Sequence, residues 1–248
     1  MQRVFSRQAV RKIRLVGDSI RMGYEPAVMS SLRSRQGVDV AAVPSDLPPS
    51  WAEVIPMGDT QGGTSRNILE NIDDFILQHE PLDILHLNCG LHDMAREGSP
   101  DNPQPRVSLE ECAPRPASSW LPQPDLTRPA ASRYASNLRA IVRTVREAKP
   151  LAKIVLCTTT CVDLETQVAV EYGIYRSNED VADYNEAMRG VAEAEGVGLH
   201  DLHGAAVRAA AEGGLGEDGV HWTEEGAQAL GEAVAAHLWG VNCGWGRQ

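Results

Sequence analysis

Ser19 follows Gly17-Asp18 at the end of a short apolar run, and Asp218 and His221 stand three residues apart near the other end of the chain. A serine, a histidine and a carboxylate are the groups that acyl transfer needs. The serine hydroxyl is a weak nucleophile until a base takes its proton. His221 is the candidate base, and Asp218 can hold the imidazole in the tautomer that leaves the other ring nitrogen free to accept. One Asp-x-x-His segment thereby supplies two members of a triad. The charge that develops on the carbonyl oxygen needs fixed donors, each worth roughly 2.7–4 kcal/mol. The candidates are the Ser19 N–H at a helix start, the N–H of Gly63 with Gly62 as its one-residue alternative, and a side chain from Gly90–Asp93.

These residues need a frame. Lys12–Gly17 reads as a strand that stops at a glycine, with a helix from about Ile20. Val38–Val43 reads as a second strand, Pro44–Pro56 as loop, Thr64–Gln78 as a helix and Asp83–Asn88 as a buried strand. Arg133–Lys149 returns to helix, with Leu138, Ile141, Val142 and Val145 on one face. Lys153–Thr159 and Val197–Leu199 read as strands, and Val181–Glu195, Leu202–Glu212 and Thr223–Trp239 as helices, the last capped by Thr223. Strands alternating with helices imply parallel pairing through crossovers, hence a doubly wound α/β sheet covered on both faces. In such sheets ligands bind outside the carboxyl ends of the strands, and all four candidate segments stand in connections that could open there. With no repeat and no second core-sized block, a single domain is expected over residues 1–248.

Composition removes other classes. The 248 residues carry 23 Lys and Arg against 34 Asp and Glu, a net charge of −11. That balance argues against nucleic acid as a partner, because such affinity comes from cations neutralising phosphates. No apolar run is long enough to span a bilayer, and Met1–Arg14 lacks the apolar stretch of a secretory signal. A cytoplasmic location is expected, although a secreted form trimmed of its leader would read the same. The five cysteines (Cys89, Cys112, Cys157, Cys161, Cys243) are odd in number and scattered, which fits free thiols. Oligomeric state is unreadable.

Gly17–Ile20 (GDSI), Gly62–Ser65 (GGTS), Gly90–Asp93 (GLHD) and Asp218–Trp222 (DGVHW) resemble, in order, the four sequence blocks of the SGNH, or GDSL, hydrolase family. The resemblance implies Ser19 as nucleophile, Asp218 and His221 as its partners, Gly63 as a backbone oxyanion donor, and a flavodoxin-like three-layer α/β/α fold. It implies hydrolysis of carboxylic esters or thioesters, O-acetyl sugars among them, without metal or other cofactor. One position departs from the pattern: the third block of the family carries Asn where this chain has His92. An imidazole N–H can still donate, so His92 is expected to take the third oxyanion position.

Several of these residues also have plainer readings. Ser19 alone would read as a helix cap, and Asp218 and His221 as a surface turn. His200-Asp201-Leu202-His203 contains metal-ligand types, but alternation along a strand end sends His200 and Leu202 one way and the other two the opposite way, so structural roles and no metal are expected. Asp18 and Asp93 are read as supports of the site, and Trp222 as a substrate contact beside His221. Met94–Ser132 holds eight of the 15 prolines in 39 residues and follows the His92 segment directly, so it is expected to stand over the site as a wall or lid. The expected activity is a serine esterase working through an acyl-enzyme on a small-molecule or carbohydrate ester, with short acyl groups favoured. The alternatives are an acyltransferase or thioesterase using the same groups, and a silent member of the fold that binds a glycan or protein.

Overall fold

The computed structural model describes residues 11–35, 52–97, 104–105, 129–163 and 174–243. In chain order these form β1 (Arg11–Val16), α1 (Ser19–Arg35), β2 (Ala52–Ile55), α2 (Ser65–Glu70), a π-helical turn (Asp73–Leu77) and β3 (Ile84–Asn88). There follow α3 (Leu91–Met94), β4 (Arg96–Glu97), β5 (Gln104–Pro105), α4 (Pro129–Ala148), β6 (Lys153–Cys157) and β7 (Ile174–Tyr175). The chain ends on α5 (Asn178–Glu195), β8 (Gly198–His200), α6 (Leu202–Ala211) and α7 (Glu224–Cys243).

The main sheet has five parallel strands in the order β2-β1-β3-β6-β8. From β1 the chain crosses to one side and, after β2, returns to the other, so the connections leaving β1 and β3 diverge. That divergence opens a crevice at the carboxyl ends of these neighbouring strands. Every residue of β3 is buried, as expected of a central strand covered on both faces. Helices α1, α6 and α7 pack together as one layer, and α2, α4 and α5 as the other, giving the three-layer α/β/α arrangement. Leu138, Ile141, Val142 and Val145 of α4 are fully buried, each such side chain contributing about 1.5–3 kcal/mol.

Several boundaries differ from the sequence reading, each for a local reason. Ala52–Ile55 is strand, not loop: β2 pairs with β1 alone, and Pro56, just past its end, removes no ladder bond. The expected Thr64–Gln78 helix is interrupted because the Asn71 side chain and N–H both donate to the Asn67 carbonyl, and a π-helical turn follows. Ser177 Oγ accepts the Asp180 N–H at 3.0 Å, which starts α5 at Asn178 rather than Val181. Gly196, left-handed at φ 61°, ends α5 as expected. Thr223 Oγ1 accepts the Gly226 N–H, the cap expected for α7, but that helix continues to Cys243. Within the Pro-rich segment, β4 pairs antiparallel with β5 and β7, and α4 begins at Pro129. Residues 98–103 and 106–128 of that segment, with its Ser118–Leu121 tip, lie outside the described residues, as does the expected strand Val38–Val43.

Candidate active site

The turn after β1 is shaped by close packing. A Cβ on Gly17 would come to 2.6 Å from Arg21 Cβ and 2.8 Å from the Asn88 carbonyl oxygen, so only glycine lets β1 end against β3 here. Asp18 then caps the helix: its Oδ1 accepts the Ile20 N–H at 3.0 Å. Ser19, the first residue of α1, is left with its hydroxyl at the mouth of the crevice and its N–H at the positive end of the helix.

Ser19 Oγ lies 2.8 Å from His221 Nε2, and His221 Nδ1 lies 2.5 Å from Asp218 Oδ2. The segment carrying both partners is tied as a tight loop. Gly216 N–H donates to the His221 carbonyl, Thr223 N–H to that of Gly214, and Asp163 N–H to that of Gly219, which is left-handed at φ 70°. Asp218 Oδ1 accepts the Val220 and His221 N–H groups at 2.9 and 2.8 Å, leaving Oδ2 for the imidazole. Burial pushes the Asp218 carboxyl up, but the His221 ring and the two amides outweigh it and hold the group below the usual carboxylate range. It therefore stays ionised and orients the ring. The Asp218 and His221 side chains are 42% and 54% exposed, so water screens the pair and its role is orientation more than stability.

Ser19, His92, Asp218 and His221 line one cavity of about 320 Å³ together with Asp18, Ile20, Gln61, Leu91, Arg176 and Val220. Asp18 is buried, and burial pushes its carboxyl up while His92, the Ile20 amide, Arg176 and His221 pull it back. Gly63 does not itself line the cavity, but it sits two residues beyond Gln61, which does. Gly62 N–H donates to the Gly17 carbonyl at 2.7 Å and so is occupied. Gly63, at φ +63°, has an N–H that meets no acceptor among the described residues. Of the two glycines it is the one able to donate to a ligand.

This loop is fastened from both sides. Arg21, buried on α1 beside Glu25, donates to the Thr60 carbonyl at 2.6 Å. Asp93, on α3, accepts Ser65 Oγ–H at 2.5 Å and the Ser65 N–H at 3.0 Å, and Asn137 on α4 donates to the same Ser65 oxygen. Burial raises the Asp93 carboxyl to about 7 against the pull of the Ser65 bonds. Asp93 thus supports the site from behind. Trp222 packs against the core beside Gly226, its indole N–H buried without a partner, and does not line the cavity as expected. Sequence reasoning missed Arg176 and Gln61. Arg176 donates through Nε to the Leu91 carbonyl at 2.9 Å, next to His92, yet it belongs to no motif.

No helix among the described residues is long and apolar enough to cross a membrane. The model of the GDSL-like Lipase/Acylhydrolase family matches residues 15–229. No curated protein matches the chain in sequence. Among solved structures, a lipase/acylhydrolase from Enterococcus faecalis is 20% identical with a TM-score of 0.61, covering 94% of this chain and 97% of its own. A carbohydrate acetylesterase from Sinorhizobium meliloti is 15% identical with a TM-score of 0.62, over 93% and 99%. An acetylxylan esterase from Geobacillus stearothermophilus is 17% identical with a TM-score of 0.60, over 94% and 95%. At these identities the likenesses establish the fold.

Proposed function

The chain belongs to the GDSL-like lipase/acylhydrolase family and is a carboxylic ester hydrolase, and on that footing we propose that it works through an acyl-enzyme on Ser19. The observation that carries this reading is the unbroken hydrogen-bonded line from Ser19 Oγ through His221 to Asp218. His221 Nε2 takes the proton as Ser19 Oγ attacks the ester carbonyl. The oxyanion is met by the Ser19 and Gly63 N–H groups and by His92. As the intermediate collapses, His221 returns the proton to the leaving alcohol. Water then attacks the acyl-enzyme with His221 again as base, and Ser19 is regenerated. His221 is half-exposed, which gives water ready access and favours hydrolysis over transfer to another alcohol.

The substrate we propose is a short-acyl ester, an O-acetyl group on a carbohydrate first. A cavity of about 320 Å³ is at the small end for ligand sites, and two of the similar structures are named as acetyl esterases of carbohydrates. The reading is tested by p-nitrophenyl acetate, butyrate and octanoate hydrolysis. Rates are expected to fall with chain length, and Ser19→Ala to lower kcat by about 10⁴–10⁶. Failure of wild-type Ser19 to react with a fluorophosphonate would overturn the serine mechanism, and a preference for octanoate would overturn the short-acyl assignment.

A further inference from the structure

Beneath the carboxyl edge of the main sheet, three side chains from three neighbouring strands converge. Cys157 pairs with Asn88 on one side and His200 on the other, and His86 lies two residues before Asn88, so all three share one face of the sheet. His86 Nε2 is 3.1 Å from His200 Nδ1, and Cys157 Sγ is 3.6 Å from the same nitrogen. The three donor atoms all lie within 4.8 Å of one another. Ligands around a tetrahedral zinc, with bonds of about 2.0–2.1 Å to nitrogen and about 2.3 Å to sulfur, sit about 3.3 Å apart for two nitrogens and about 3.6 Å for nitrogen and sulfur. The two spacings at His200 Nδ1, 3.1 and 3.6 Å, match that pattern, and the third pair lies within 4.8 Å.

We propose that His86, Cys157 and His200 form a structural site for one soft d¹⁰ cation, copper(I) or zinc(II). The donor set contains no carboxylate, which disfavours magnesium and calcium and suits a thiophilic ion. All three residues are buried, at 0%, 0% and 6% exposure. Each buried imidazole offers a lone pair in its neutral form. When a cation binds, the Cys157 S–H bond breaks, the sulfur–metal bond forms and the proton goes to solvent. Without a cation, His86 Nε2 and the Cys157 thiol both lie within reach of His200 Nδ1, and the thiol also reaches the Thr158 carbonyl at 3.7 Å. One thiolate and two neutral imidazoles balance copper(I) to zero charge, whereas zinc leaves a buried positive charge, so copper(I) fits better. The companions of His200 come from across the strands, at His86 and Cys157, and not from its chain neighbours Asp201 and His203. None of the three lines the Ser19 cavity, so the site stands or falls independently of the esterase mechanism.

The test is elemental analysis of protein purified from cells grown with added copper, zinc or cobalt, because so buried a site fills during folding. About one equivalent per chain is expected, highest in the copper arm, falling to near zero in Cys157→Ser and unchanged in Cys161→Ser. Cobalt-loaded wild type is expected to show a thiolate-to-cobalt charge-transfer band, which needs no variant to fold. Absence of that band together with sub-stoichiometric metal in every arm would overturn the proposal and leave a hydrogen-bonded cluster only. Equal metal in wild type and Cys157→Ser would overturn it too.

Discussion

His92 offers the crevice an imidazole where the family pattern carries an amide. If its N–H meets the oxyanion, His92→Ala lowers kcat about 100–1000-fold with little change in KM, while His92→Asn retains most of the rate. Full activity in the alanine variant would remove His92 from the mechanism. Arg176 stands one step behind, with Nε on the carbonyl of Leu91. Arg176→Lys, which loses that planar contact, is expected to cost about 10- to 100-fold in kcat by letting His92 drift, measured as kcat on p-nitrophenyl acetate with KM as control. The two residues differ in how openly the sequence announces them. Ser19, Asp218 and His221 sit inside short contiguous motifs that residue type and spacing mark as candidates, and His92 stands out only where the family resemblance expects Asn. Arg176 reaches a backbone carbonyl 85 residues away, and every residue has a carbonyl, so no pattern of side chains marks the pair.

At the level of elements, the loop that carries Gly63 is held by the Asp93–Ser65 bonds, and this tie titrates. Asp93 has a folded value of about 7 against an ordinary value of 3.8, so the folded state keeps a proton that the unfolded chain has released. The stability from this group is full below about pH 4 and is lost as pH rises toward about 7. Urea unfolding at pH 5 and pH 8 is expected to show the advantage of wild type over Asp93→Asn shrinking at the higher pH; an unchanged difference would mean Asp93 is ionised throughout. A second tie is the contact of α1 with α7, where a Cβ on Gly231 would collide with Ala27 and come within 2.8 Å of the Tyr24 carbonyl. Gly231→Val is expected to cost about 1–3 kcal/mol, or roughly 2–10 °C in Tm by calorimetry. The long helices were legible because their apolar faces repeat over several turns. β2 was not, since four residues between prolines carry no period, and β4, β5 and β7, two residues each, were below the reach of any pattern.

For the whole molecule, the alternation of strands and helices was enough to read a doubly wound sheet, while the place of the crevice, between β1 and β3, needed the strand order that the fold shows. We propose that the chain is one domain, because the buried apolar residues of both helical layers and of β1, β2, β3 and β6 form one continuous cluster, with the half-buried Leu199 of β8 packed against it. Calorimetry is expected to show one transition with equal van't Hoff and calorimetric enthalpies, and two resolved transitions would overturn this. The net charge of −11 adds a prediction at the same scale. Anionic esters are expected to gain in kcat/KM as ionic strength rises and cationic ones to lose, since salt screens a long-range field.

The proposed nucleophile and its base are 202 residues apart, brought together because α1 and α7 lie side by side. A nascent chain that has exposed α1, the whole of β3 and even α5 still lacks His221, the base proposed for Ser19. At a synthesis rate of about 5–20 residues per second, Ser19 waits roughly 10–40 s before His221 is made. On the proposed mechanism the enzyme is thus silent on the ribosome and gains reactivity only as α7 docks, which would make hydrolysis itself a reporter of completed folding.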